Sequence, residues 1–211
     1  MDVFGGVWAG YVDKLKEGFS RLKDEDVCVL CGDLTWAMNL EECLADFHFL
    51  DSLPGKKILL KGNHDYWWTT TTKARRFFAQ NGIRTLDILH NNCYFVGDTA
   101  ICGTRGWFYE EETSPEHDRK IMNREVMRLE TSLKAAKGAE EIICFLHYPP
   151  IFYNFYCRDI IELMKSYGVR SCYYGHIHGA GHKLATVGEH DGITYHLVSA
   201  DYVDFRPVRV K

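Results

Sequence analysis

The stretch ILLKGNHD at residues 58–65 joins an apolar run directly to a cluster of polar residues. The apolar residues 58–60 predict a short buried strand, and Gly62 lets the chain turn sharply where that strand ends. We therefore expect the side chains of residues 63–65 just beyond the carboxyl end of a strand. Asparagine, histidine and aspartate at such a place can ligate a metal ion, although the same residue types are also common in turns.

The same arrangement occurs at three other places in the chain. An apolar run is followed at once by a polar cluster in the segments VCVLCGD (27–33), IICFLH (142–147) and SCYYGHIH (171–178). Helical patterns, with apolar residues three and four apart, separate these runs. They cover residues 8–22, 40–50, 73–80, 116–137 and 158–167. Strands that alternate with helices predict an α/β fold, in which loops at the carboxyl ends of the strands meet in one crevice.

Finer features of the pattern give further expectations about local structure. Asn39 is the predicted cap of the helix over 40–50. Strand patterns over 85–89, 92–96 and 100–103 predict antiparallel neighbours with a turn at Asn91-Asn92. The C-terminal part of the chain has three more strand patterns, at 183–187, 193–198 and 205–210.

Length, charge and cysteine usage bound the class of protein. The chain is long enough for one domain, residues 1–211, and its formal net charge of -4 with interspersed signs provides no basic stripe for duplex nucleic acid. No apolar run reaches the roughly 18 to 20 residues that cross a bilayer, and the N-terminus lacks a signal-peptide pattern. The pair Cys28 and Cys31 lies in an apolar run, which favours buried hydrophobes over a zinc or redox motif. We expect a cytoplasmic protein without membrane partners.

The polar clusters supply a mixed set of oxygen and imidazole ligands. Its members are Asp33, Asn63, His147, His176 and His178. This set suits Mn, Fe or Zn, and it can hold two divalent ions if a carboxylate bridges them. Two such ions can activate a hydroxide and stabilise a phosphoryl oxygen during an in-line displacement.

The order GD, GNHD, an isolated histidine after a strand, and GHIH resembles the signature of the calcineurin-like metallophosphoesterase superfamily. The segments GDLTWAMN (32–39) and LLKGNHDYWW (59–68) resemble a bacterial phosphohydrolase subgroup, and the match covers roughly residues 1–205. The resemblance implies two packed mixed β-sheets flanked by helices. It also implies metal-dependent hydrolysis of a phosphomonoester or phosphodiester in a small phosphorylated or nucleotide-like substrate.

The resemblance further implies a role for each matching residue. Asp33 would bridge the two ions, and Asn63, His147 and His176 would complete the second metal site. His178 would belong to the first site. His64 would not be a ligand but would lie beside the phosphate and protonate the leaving oxygen, a role that suits an imidazole titrating near neutrality.

One block of the family signature is missing. The D-x-H that supplies two ligands of the first metal site has no match upstream of Asp33, and the N-terminal residues 1–4 contain an aspartate but no histidine. The segment Asp46-Phe47-His48 follows the GD motif and lies in a helical pattern, so we interpret it as a coincidence. We expect that the chain begins after the missing block and lacks the first strand. An unpaired neighbouring strand then favours a homo-oligomer.

Two further interpretations remain open at this level. Arg105 follows a strand pattern and can clamp a phosphate by a bidentate contact, or it can form an ordinary ion pair. Aromatic residues crowd the motif loops and can stack a flat group, or they can pack the loops. The alternatives to a two-metal enzyme are a scaffold or binding protein that keeps the fold without catalysis and a mononuclear protein with weak activity.

Overall fold

The structure is a computed structural model that describes residues 5–108 and 114–211. Its smaller sheet has the strand order β1-β2-β3, and all its strand pairs are parallel. The strands are β1 (Val27–Leu30), β2 (Lys56–Leu59) and β3 (Leu86–Ile88). Each strand is short and carries apolar side chains, because one face meets the other sheet and the opposite face meets helices.

The larger sheet is mixed and has the strand order β10-β11-β9-β6-β5-β4. Its strands are β4 (Tyr94–Val96), β5 (Thr99–Thr104), β6 (Glu141–Leu146), β9 (Ser171–Tyr174), β10 (Gly188–His190) and β11 (Ile193–Leu197). The four central strands run parallel, and the edge strands β4 and β10 run antiparallel to their neighbours. Two short strands, β7 (Ile151–Phe152) and β8 (Phe155–Tyr156), form a separate hairpin.

The two sheets pack face to face through a shared apolar layer. Ile58, Leu60 and Leu89 contribute from the smaller sheet or just beyond its strand ends, and Ile143 and Phe145 contribute from β6. Burial of such side chains stabilises the fold by about 25 cal/mol per Å² of apolar surface. The carboxyl ends of β1, β2, β6 and β9 are thereby held on one side of the sandwich.

Helices cover both outer faces of the sandwich. They are α1 (Tyr11–Phe19), α2 (Leu44–Ser52), α3 (Thr71–Gln80), α4 (Pro115–Ala135) and α5 (Arg158–Ser166). The second and third pack on the smaller sheet through Phe47 and Phe78, and the last two pack on the larger sheet through Leu129 and Ile161. The predicted α/β fold of two packed sheets flanked by helices is therefore confirmed.

Several local predictions were wrong. The helix predicted from residue 40 begins at Leu44, because Asn39 accepts the N–H of Glu42 and caps a turn that precedes the helix. β3 does not pair antiparallel with β4; it joins the smaller sheet in parallel, and the chain then crosses to the larger sheet. The segments 183–187 and 205–210 are not strands.

In the part of the chain that the structure describes, no helix is long and apolar enough to cross a membrane.

Each sheet is built from one continuous part of the chain. The smaller sheet uses residues 27–88, and the larger sheet uses residues 94–197. Because both parts place polar loops on the same side of the sandwich, residues more than a hundred positions apart become neighbours.

Candidate metal centre

Four side chains from four strand ends converge on one point. The ligand atoms of Asp33, His147 and His176 all lie within 4.8 Å of one another. The Oδ1 atom of Asn63 lies 2.7 Å from His147 Nε2 and 3.1 Å from His176 Nδ1. The structure therefore brings together four of the five side chains that the sequence analysis named as ligands.

The orientation of His147 fits a metal ion better than a direct hydrogen bond. Its Nδ1 lies 2.8 Å from the carbonyl oxygen of Cys31, so the ring donates there and carries no proton on Nε2. The lone pair of Nε2 then faces the side-chain amide oxygen of Asn63, and Nε2 lies 3.5 Å from Asp33 Oδ2. A cation can satisfy acceptor atoms that converge in this way. A metal-binding histidine also normally donates its other ring N–H to an acceptor, as His147 Nδ1 does to the carbonyl oxygen of Cys31.

His147 and His176 are held in the neutral form that can ligate a metal. Burial lowers the pKa of His147 to about 3, and the positive charge of Arg105 adds to this effect. Burial likewise lowers the pKa of His176 to about 3, with a further contribution from His147. Neutral imidazoles with carboxylate and amide oxygens form the donor set that Mn, Fe or Zn prefers, so the residues present fit such an ion.

The backbone at this centre is constrained in an unusual way. Asp33 has φ 56° and His176 has φ 68°, the left-handed region that costs a residue with a side chain roughly 1–3 kcal/mol. Gly32 and Gly62 allow the two loops to touch, because a Cβ on Gly62 would lie 2.0 Å from Asp33 Oδ1. Gly175 is different, since a Cβ there would meet only ordinary contacts at 3.4 Å. A glycine is thus sterically required at Gly32 and Gly62 but not at Gly175.

Asp65 joins the first two loops although it is not a candidate ligand. Its carboxylate is fully buried and accepts the backbone N–H groups of Asp33, Leu34 and Gly62 at 2.7–3.0 Å, and the indole N–H of Trp67 at 3.0 Å. Burial raises the pKa of this carboxyl, but N–H donors on both oxygens bind the ionised form. Sequence reasoning missed this role, although an aspartate directly after the ligand motif was a visible signal.

His64 lies at the mouth of the centre and is not among the converging side chains. Its backbone N–H donates to Asp33 Oδ1 at 2.8 Å, and its ring stacks on Trp36 with centroids 4.5 Å apart. Its Nδ1 is 3.1 Å from the hydroxyl oxygen of Tyr66. The ring therefore contacts the aromatic side chains of Trp36 and Tyr66, while the backbone of the same residue contacts the carboxylate of Asp33.

His178 lies outside the converging group. Its Nδ1 is 2.6 Å from Asp201 Oδ1, and its ring packs edge-on against Trp8 at 5.5 Å. Asp201 also accepts the N–H of Gly179, which fixes the carboxylate, and His182 Nε2 lies 3.3 Å from its other oxygen. None of the hydrogen bonds among the described residues involves His178 Nε2. Asp201 was missed because it lies 23 residues further along the chain and outside any motif.

Arg105 lies beside the centre and is mostly buried, with 14% of its side chain exposed. Its guanidinium lies 4.9 Å from the ring centroid of Trp107, and its Nη2 is 3.7 Å from Glu125 Oε1. Its Nε makes no hydrogen bond to any described residue. The ion pair that sequence analysis left open is therefore present with a buried partner, and the phosphate contact stays a prediction.

Asp46 and His48 lie far from this chemistry. Both side chains are exposed on α2, while Phe47 between them is buried against the outer face of the smaller sheet. The interpretation of this D-x-H as a coincidence agrees with that placement. Residues 1–4, which contain an aspartate but not the D-x-H of the family's first block, lie outside the described residues.

Comparison with known proteins identifies the family. A model of the calcineurin-like phosphoesterases matches residues 4–180, and the chain belongs to this family of phosphoesterases that use divalent metals. No curated protein sequence matches the chain significantly.

Two solved structures are similar in fold. Phosphopantetheinyl hydrolase (PptH) from Mycobacterium tuberculosis superposes with a TM-score of 0.55 at 13% identity, covering 94% of this chain and 94% of that chain. The protein TT1561 of Thermus thermophilus gives a TM-score of 0.49 at 14% identity, covering 82% of this chain and 78% of that chain. At these identities the likeness shows the fold alone.

Proposed function

We propose that this protein hydrolyses a phosphomonoester or phosphodiester bond in a small phosphorylated or nucleotide-like molecule. The observation that carries the proposal is the convergence of acceptor atoms from Asp33, Asn63, His147 and His176, which fits one divalent ion. Asp33 and His178 are the residues available for a second ion. Mn, Fe or Zn match this donor set.

Bound divalent ions would supply an activated nucleophile and electrostatic stabilisation of the phosphoryl oxygens. The protein's own contribution is to hold the ligands in place. Cys31 fixes the ring of His147 through its carbonyl oxygen, and Asp65 fixes the backbone of Asp33. The ligands therefore need little rearrangement when metal and substrate arrive.

His64 is the proposed proton donor to the leaving oxygen. If the hydroxyl of Tyr66 donates to His64 Nδ1, the ring proton lies on Nε2, where it is available for donation. Stacking on Trp36 limits rotation of the ring. Arg105, held by Glu125 and Trp107, would provide a positive charge for the phosphate. Asn63, whose Oδ1 lies beside His147 and His176, would hold the metal and contact the substrate.

A second candidate function is metal binding without catalysis. It is favoured by the position of His178, which pairs with Asp201 outside the group of Asp33, His147 and His176. A protein with one filled site would bind a metal and a phosphate without turnover.

Metal content and activity measured on the same sample test both candidates. After incubation with manganese and desalting, we expect two ions per chain and hydrolysis of p-nitrophenyl phosphate or bis(p-nitrophenyl) phosphate. His176→Ala should lose at least one ion and the activity, whereas His48→Ala, an exposed histidine on α2, should lose neither. One ion without turnover would support the second candidate. No bound metal would contradict both.

A further inference from the structure

A polar cavity of about 350 Å³ opens beside the metal centre, and none of the roles described above uses it. It lies where the end of β2, the N-terminus of α3 and the middle of α4 meet. It is lined by Lys61, Trp68, Thr69, Thr70, His90 and Arg128. No lining residue is acidic, so the walls offer positive charge and hydrogen-bond donors.

Positive charge around the cavity is only partly compensated. Glu125 is fully buried and binds Arg128 Nη1 at 2.6 Å and Arg105 Nη2 at 3.7 Å, so one carboxylate serves two guanidinium groups. Its other oxygen accepts the hydroxyl of Thr104 at 2.6 Å. Lys61 makes no hydrogen bond or ion pair with any residue in the described ranges. A half-buried ammonium group that makes no hydrogen bond or ion pair with the described residues, next to two guanidinium groups, favours the binding of an anion.

Trp68 and the N-terminus of α3 also line the cavity. Trp68 Nε1 is buried and has no hydrogen-bond acceptor among the described residues. Thr70 caps α3 by accepting the N–H of Lys73, and the first turn of that helix contains no acidic residue. The ten-residue α3 therefore presents an uncompensated N-terminus, which favours a bound anion. The His90 ring contacts Trp68 edge-on at 6.1 Å and closes this side of the cavity.

The cavity is close enough to the metal centre for one molecule to reach both. Only Gly62 separates Lys61 from Asn63, so their Cα atoms are at most about 7 Å apart. Arg105 joins the two regions, because its side chain pairs with Glu125 while its carbonyl oxygen accepts the N–H of His147 at 3.1 Å. A phosphate in the cavity and a phosphoryl group at the metal centre could thus belong to one small substrate.

We propose that this cavity binds a second phosphate group of the substrate, so that the enzyme acts on molecules that carry two phosphate groups. One group is hydrolysed at the metal centre, and the other is held by Lys61, Arg128 and the N-terminus of α3. The anion site stands on the cavity alone, whereas the two-phosphate substrate class rests on the proposed function.

Binding of inorganic phosphate to the intact chain in the presence of EDTA tests the anion site separately from catalysis. The thermal midpoint should rise saturably with phosphate in the wild type and in Lys56→Met. Lys56 is an exposed lysine at the far end of β2, about 16 Å from Lys61. Lys61→Met should lose this rise.

The unliganded midpoint of Lys61→Met serves as a second readout. It should be equal to or above that of the wild type, because the substitution removes a half-buried charge that Arg105 and Arg128 repel and breaks no hydrogen bond or ion pair to a described residue. An equal phosphate response in Lys61→Met and wild type would overturn the anion site. A clear drop in the unliganded midpoint would do the same, since it would make Lys61 a structural residue.

Selectivity between substrates tests the two-phosphate class. With manganese, kcat/KM for adenosine 3′,5′-bisphosphate should exceed that for adenosine monophosphate by roughly tenfold or more, as expected for a charge-assisted contact. The ratio should fall in Lys61→Met and Arg128→Met and should persist in Arg124→Met, an exposed arginine on the same helix. Because both kcat/KM values are measured on the same variant, a general loss of activity cancels in their ratio.

The outcomes separate the two claims. Equal rates on both nucleotides in the wild type would overturn the substrate class and leave the proposed hydrolase intact. An absence of any hydrolysis would overturn both the proposed function and the substrate class, with the anion site then judged by the phosphate titration.

Discussion

The carboxylate of Asp65 accepts the backbone N–H of Asp33 across 2.8 Å and the backbone N–H of Gly62 across 2.7 Å. One buried side chain therefore sets the distance between the loop that follows β1 and the loop that follows β2. The position of the candidate ligand Asp33 is thus fixed by a residue outside the candidate ligand set.

Replacement of Asp65 by Asn should loosen this connection. The amide group would turn one acceptor into a donor that faces backbone N–H groups, and a buried group left unsatisfied costs roughly 1–3 kcal/mol. We expect Asp65→Asn to lower the free energy of unfolding by about 2 kcal/mol in urea denaturation and to weaken manganese binding. Asp46→Asn, on the exposed face of α2, should change neither quantity.

The contact between Gly62 and Asp33 gives a steric prediction. In Gly62→Ala, the new methyl group would meet Asp33 Oδ1 at 2.0 Å and Asp33 N at 2.3 Å, so the two loops must separate. We expect this variant to lose bound metal in elemental analysis. Gly175→Ala, at the same centre but with ordinary contacts at 3.4 Å, should retain it. Equal metal content in both variants would argue against close contact of the loops.

The proposed proton donor can be tested through the leaving group. His64→Asn should lower kcat by roughly 10²- to 10⁴-fold for an alkyl phosphate, whose leaving oxygen needs a proton. The loss should be much smaller for p-nitrophenyl phosphate, because nitrophenolate leaves without protonation. Metal content should stay at the wild-type value, and His48→Asn provides the matched control. A loss of equal size for both substrates would contradict the proton-donor role.

The pair of His178 and Asp201 predicts an effect on a second ion. The Asp201 carboxylate accepts from Nδ1 and so keeps the Nε2 lone pair available. Asp201→Asn removes the negative charge and permits the other tautomer, which should weaken binding of one ion by roughly 10- to 100-fold while the other is retained. Manganese titration followed by calorimetry measures this. Asp204→Asn, an exposed neighbour, should titrate like the wild type.

The local sequence pattern predicts the main strands and the ligand set, because strand ends and polar clusters are adjacent in the chain. It predicts strand pairing less well. The strand at residues 86–88 has the same local character in either sheet, and only its contacts with Lys57 and Leu59 decide that it joins the smaller one. The start of α2 was misplaced for a similar reason, since Asn39 can cap a turn as well as a helix.

Residues that support the site were harder to predict than its ligands. Glu125 and Asp201 are ordinary acidic residues in the sequence, and their roles depend on the return of α4 and the C-terminal segment to the strand ends. Arg105 was named as a candidate for phosphate, but the buried carboxylate that holds it could not be located from a helical pattern alone. Such roles come from packing between distant segments.

The construction of each sheet from one continuous part of the chain has a consequence for unfolding. Asp33 and Asn63 come from the part that builds the smaller sheet, while His147 and His176 come from the part that builds the larger one. An ion held by all four would therefore cross-link two halves that otherwise meet through the apolar layer between the sheets. The free energy that holds the two halves together would then increase with the concentration of free metal, [M], as RT ln(1 + [M]/Kd).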